Sequence, residues 1–125
     1  VRTPRALAEA LSVASAMGAS SLYTWLTLPT CPDFEQVVRA TTLPLVILDG
    51  EAVGDPRPVL EDLRRGMAAG PNVRGAMIGR NVLYPGVDDP RAVAAAMAAV
   101  VHDGAGTNDA LGAMEAERGK DPELV

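Results

Sequence analysis

Two short stretches hold the residue types best suited to chemistry in this chain: Asp49-Gly50-Glu51 and Gly79-Arg80-Asn81. Asp49 and Glu51 are carboxylates one residue apart, able to act as acid and base on a carbonyl substrate. They can equally cap backbone N–H groups or pair with Arg80. Gly79 lets backbone N–H groups approach an anion closely, and Gly50 can supply a second backbone donor. Arg80 offers a planar fork matched to phosphate oxygens. Asn81 is placed to cap a short helix whose free N–H groups would face the same anion. The alternative is that both glycines simply turn the chain, with Arg80 paired to Asp49 or Glu51.

The remaining candidates are few. His102 is the only histidine and Cys31 the only cysteine, so no metal site is expected and no disulfide framework exists. His102 falls in the last turn of an expected helix, where it favours the helix dipole. Tyr23, Trp25 and Tyr84 can line a sugar pocket or pack in the core. No cofactor is expected.

Stepping outward to the elements, residues 3 to 17 predict a helix with Thr3 as N-cap and Pro4 in the first helical position, ended by Gly18. Residues 21 to 26 are rich in β-formers and predict a strand. Asp33 predicts the cap of a short helix to about Ala40, with Gln36 as capping-box partner. Leu45 to Leu48 is a continuous apolar run, suited to a strand buried on both faces. Asp55 and Pro56 open a helix closed by Gly70. Val73 to Ile78 predicts a third strand, and Asp89 and Pro90 open a last helix ending at Gly104. Residues 105 to 125 read as a flexible acidic tail, with Ala110 to Glu117 at most a weak helix.

The order is αβαβαβα, and strands alternating with helices imply a parallel sheet. The expected fold is α/β, a partial TIM (β/α)8 barrel, with residues 1–104 supplying helix 5 to helix 8 and 105–125 the tail. In such folds function gathers at the carboxyl ends of the strands, and the loops after the last two strands of a barrel often hold a phosphate. Both singled-out stretches stand at such ends. Three parallel strands leave two open edges, and a whole barrel needs about 250 residues. Upstream strands or a second copy of the chain are therefore expected, and Val in place of an initiating Met points to the former.

Composition narrows the partners. The 125 residues are 48% hydrophobic but only 3% aromatic, and the formal net charge is −5. From Asp103 onward there are six acidic and two basic side chains, leaving a near-neutral body. There is no basic stripe or aromatic platform for nucleic acid. No apolar run approaches a membrane span. The single cysteine suits a reduced, cytoplasmic setting.

Leu43 to Gly50 followed by Val73 to Pro85, with GRN and LYP, resembles the final two units of class I aldolase barrels, including archaeal-type fructose-bisphosphate aldolases. The stretch SLYTWLTLP from Ser20 to Pro29 sharpens the likeness toward Cgl0159-like barrels, associated with inositol and sugar catabolism. The resemblance runs from about Arg5 to Gly104. It implies a carbon–carbon lyase in which Gly50, Gly79 and Arg80 contact a small phosphorylated sugar. It also implies a Schiff-base lysine near Tyr23 to Thr27. No lysine stands there; Thr24 or Thr27 occupies the place, and Lys120 is the only lysine in the chain. Three functions follow as expectations: an aldolase-type lyase fragment contributing the phosphate grip, a non-catalytic sugar-phosphate-binding barrel, or a structural half-barrel that homodimerises.

Overall fold

The computed structural model describes residues 3–120. The chain divides into two compact units. Among the described residues the first comprises 3–49 and 65–78, and the second 50–64 and 79–120. Helix α3 contributes residues to both, the division falling between Arg64 and Arg65.

The first unit begins with α1 (Pro4–Ser15). The expected cap is present: the Ala6 N–H donates to Thr3 Oγ1 at 3.3 Å. Three strands follow, β1 (Leu26–Pro29), β2 (Leu45–Leu48) and β3 (Val73–Met77). They form one parallel sheet in the order β1-β2-β3. Helix α2 (Phe34–Val38) lies between the first two strands, and α3 (Pro56–Ala68) between the second and third. This is a small, partial-barrel-like α/β fold, and its parallel pairing is the one the alternating order requires.

One face of the sheet is packed. Leu28, Leu45 and Ile47 are buried there with Phe34, Val37 and Val38 of α2 and Leu11 of α1. Gly66 of α3 sits so close that a Cβ would come within 2.5 Å of Ile47 Cδ1. A larger residue there would require the tip of the Ile47 side chain to move. Asn72 ties the loop between α2 and β2, its Nδ2 donating to Thr41 O at 3.1 Å and Leu43 O at 3.2 Å. The other face leaves Thr27, Leu48 and Met77 exposed.

Two expectations for this unit fail. The first strand is Leu26–Pro29, not residues 21–26. The Thr24 N–H bonds to Ser21 O, making a turn of the aromatic-rich stretch. Pairing with β2, from Leu26 opposite Leu45 to Pro29 opposite Leu48, sets the strand. The capping box at Asp33 does not form either. Asp33 is left-handed, with φ 53°, and makes no side-chain cap bond. Its backbone carbonyl instead accepts the Gln36 N–H at 3.0 Å.

The second unit holds most of α3, the single turn α4 (Arg80–Leu83), α5 (Pro90–Asp103) and α6 (Thr107–Glu117). Asp89 caps α5 through the Arg91 N–H at 2.9 Å, and Gly104 ends it in the left-handed conformation, φ 65°. Leu60, Leu63, Val93, Met97 and Val100 are buried. The expectation of a flexible tail from residue 105 does not hold over α6. Ala110 and Met114, four residues apart and so on one side of the helix, are fully or nearly fully buried, and α6 packs on α5. Thr107 Oγ1 donates to Glu61 Oε2 at 2.5 Å, tying the start of α6 to α3. Residues 121–125 of the expected tail lie outside the described residues.

Candidate functional site

The site is built on two loops of the second unit, the one after β2 and the one after β3. Glu51 projects from the first loop and Arg80 from the second. The Arg80 guanidinium donates to Glu51 Oε2 at 3.0 Å, and the pair is exposed, with the Glu51 side chain 84% accessible. A pair so open to water is worth little to stability. It does place a cation and a carboxylate together on a wet surface.

Asn81 fixes the geometry beneath them. It is 4% exposed, the one buried polar side chain among the described residues. Its Nδ2 donates to Glu51 O at 3.0 Å, and its Oδ1 accepts the Val53 N–H at 3.1 Å. The carboxamide thus satisfies a donor and an acceptor of the other loop, which no apolar side chain could do. Asn81 was expected to cap the helix behind it; instead it lies inside α4. The N-cap position is Gly79, and no side-chain cap bond forms. At four residues, α4 is too short to build the helix-end charge expected of it. Asn81 is a fastener between the loops.

Gly50 and Gly79 stand on these same loops. A Cβ built on either meets nothing within 4 Å. Neither glycine is needed to relieve an internal clash at its Cβ position.

The remaining expected residues are placed as follows. Asp49 belongs to the first unit, where its N–H donates to Met77 O at 3.0 Å. Tyr84 is exposed at the end of α4. Trp25 precedes β1, at the amino end of the sheet. There it lines a shallow hollow of about 410 Å³ with Pro44, Pro71 and Arg74. It is therefore not among the residues at the carboxyl ends of the strands. Cys31 is partly buried, and its thiol pKa is raised, first by desolvation and then by the nearby Asp33 carboxylate. Among the described residues no cluster of His, Cys, Asp and Glu could hold a metal ion. No helix among them is long and apolar enough to cross a membrane.

The second unit also holds a hollow of about 610 Å³ that the sequence did not signal, lined by Arg57, Asp88, Met114 and Arg118 among others. Arg118 pairs with Asp88 there. Only the fold brings these distant positions together.

A parallel α/β sheet followed by glycine-containing loops that carry an arginine and a carboxylate defines a member of the parallel-sheet, barrel-related proteins. The chain belongs to the Cgl0159-like family, whose pattern matches residues 1–101. It is similar to Cgl0159 from Corynebacterium glutamicum, a solved structure, with 31% identity and a TM-score of 0.75 over 82% of this chain. It is also 37% identical over 105 residues to the 2-amino-3,7-dideoxy-D-threo-hept-6-ulosonate synthase of Halobacterium salinarum, a match covering 84% of this chain. The chain spans 37% of that synthase and 34% of the solved structure.

Proposed function

We propose that this chain is the C-terminal part of a class I aldolase-type barrel and carries its phosphate grip, acting in the cytoplasm on a small phosphorylated sugar. One observation carries the reading. Gly50 and Gly79 have open space where a side chain would stand, beside the accessible guanidinium of Arg80. An accessible planar cation beside such open loop surface suits phosphate oxygens. The Halobacterium relative, a synthase of a hept-6-ulosonate, supports chemistry on a sugar-like carbon chain.

In this reading Arg80 exchanges Glu51 for a phosphate oxygen when substrate arrives. Glu51, released but still held through its backbone by Asn81, is free to carry a proton at the substrate. The nucleophilic amine would come from outside these 125 residues, since Tyr23 to Thr27 lacks a lysine. Arg80→Ala should weaken sugar-phosphate binding by about 1.5–3 kcal/mol, the range for a hydrogen bond to a charged group. Calorimetry on the longest natural polypeptide carrying these residues tests it, and unchanged binding rejects the role.

A second reading is a sugar-phosphate-binding protein without lyase chemistry. It is favoured by the place of the only lysine: Lys120 Nζ pairs with Glu117 at 2.6 Å on an exposed surface, just past α6 and not at the carboxyl end of a strand. Borohydride trapping separates the two. A reduced covalent adduct with a sugar phosphate supports the aldolase, and binding without any adduct supports the binder.

A further inference from the structure

The two loops of the candidate site are tied to a place remote in sequence, the end of α6. Residues 84–89 lead from α4, which carries Arg80, into α5. Among them Gly86 packs directly on the backbone of Gly54, in the loop that carries Glu51. The Asp88 side chain is only 14% exposed, and its carboxylate pairs with the guanidinium of Arg118, just past α6. Arg91, in the first turn of α5, donates from Nη2 to Lys120 O at 2.7 Å. The end of α6 thus meets this connection twice. Packing does not hold it in the same way. Gly54, Val87 and Met114 line one hollow of about 610 Å³, so the loops and α6 face each other across open space. The helix itself is anchored at its other end, through Thr107 on Glu61 and through the buried Ala110 and Met114.

We propose that Arg118 is a positioning residue: through it α6 braces the two loops that carry Glu51 and Arg80. The contacts form a closed ring. Arg118 fixes Asp88, and residues 84–88 set Gly86 against Gly54. Val53, beside Gly54, is bonded to Asn81, the neighbour of Arg80, and α4 leads back into residues 84–88. Without Arg118, a largely buried carboxylate loses its cation, and the cost of that drives Asp88 toward water. The ring then opens at its one charged link. Arg118 lies beyond residue 101, where the family pattern ends, so the brace is no part of that pattern. The brace stands on these contacts alone. That it serves phosphate binding rests on the function proposed above.

The test compares Arg118→Ala with the wild type by hydrogen exchange, without ligand, in the longest natural polypeptide carrying these residues. The reporters are Val53 and Tyr84, whose N–H groups are bonded to Asn81 Oδ1 and Arg80 O. Their exchange should quicken about tenfold more than that of Val93 and Val100 in the core of α5, as a local opening requires. Arg118→Lys, which keeps a point charge on Asp88, should restore slow exchange. Asp88→Asn added to Arg118→Ala should not, because no cation then holds the loop. Uniform quickening, no quickening, or rescue by Asp88→Asn overturns the brace. Titration with inorganic phosphate reads the consequence for the site. Arg118→Ala should weaken binding several-fold and Arg118→Lys should restore it. Phosphate bound equally by wild type and Arg118→Ala overturns the positioning role. A wild type that binds no phosphate sinks the phosphate reading instead, and the exchange rates still decide the brace.

Discussion

Arg80 and Glu51, twenty-nine positions apart in sequence, meet as an ion pair at 3.0 Å on the water side of two loops. An anionic ligand at Arg80 must displace or share this carboxylate. Glu51→Gln removes the competing charge. An exposed pair of this kind is worth roughly 0.2–1 kcal/mol, so phosphate-ester affinity should rise roughly 1.5- to 5-fold. Titration calorimetry at low salt measures it. If Glu51 is also the proton carrier, turnover of the longer polypeptide falls while affinity rises, a split that loss of folding could not produce.

Asn81→Ala attacks the same site from below. It deletes the bonds to Glu51 O and the Val53 N–H. Both partners stand on an exposed loop, where water can replace part of what is lost. The expected destabilisation is about 1–2 kcal/mol, the cost of leaving such groups imperfectly paired. Urea unfolding measures this. Exchange at Val53 should quicken by more than the global loss accounts for, because the loop loses its anchor. Equal change everywhere would argue against a local fastening role.

The sequence was informative where a local signal and the fold agreed. The run Leu45 to Leu48 is the strand expected, but it is buried on one face only: Leu45 and Ile47 are covered, whereas Leu48 is exposed. Thr3-Pro4 and Asp89-Pro90 marked helix starts because capping needs only nearby atoms. It misled where partners decide. Tyr23 and Trp25 have high β propensity, yet the strand begins at Leu26, because propensity counts for less than pairing with β2. Pro29 is tolerated as the last residue of an edge strand. Helix α6 was read as no more than a weak helix over Ala110 to Glu117 for another reason. Its buried side is small, Ala110 and Met114, and hardly stands out from its polar neighbours as a pattern; contact with α5 is what stabilises it.

The candidate site shows the same division. The residue types at Gly50, Glu51, Gly79 and Arg80 were visible because they follow strand ends. The Arg80 to Glu51 pairing was one of two partners left open. The role of Asn81 was not visible. Its bonds reach residues 28 and 30 positions away, and no local pattern records them. Asp49 and Glu51, adjacent but for one glycine, fall in different units.

Gly86 is a further point where backbone geometry, and no side chain, decides. Its φ is +81°, and a Cβ there would lie 2.1 Å from Gly54 O. Gly104 also has a positive φ, +65°, but its Cβ would meet nothing within 4 Å. Gly104→Ala should therefore cost only the left-handed penalty, about 1–2 kcal/mol. Gly86→Ala must also separate two backbones, so it should cost clearly more. Paired denaturant melts give the comparison, and equal losses would show that the contact with Gly54 yields freely.

Cys31 allows a test that depends on pH. Burial and the neighbouring Asp33 carboxylate both raise its thiol pKa above the ordinary value of 9.0. The thiolate is the reactive form. At pH 8 the thiol should therefore react with a disulfide reagent more slowly than a free cysteine, and its rate should keep rising beyond pH 9. Asp33→Asn removes the charge while suiting the left-handed backbone at φ 53°, which asparagine tolerates. The variant should react faster at pH 8, with the rate–pH curve shifted toward lower pH. The shift should be only partial, because desolvation, the larger cause, remains. A curve that does not move would mean that the Asp33 charge is not felt at the sulfur.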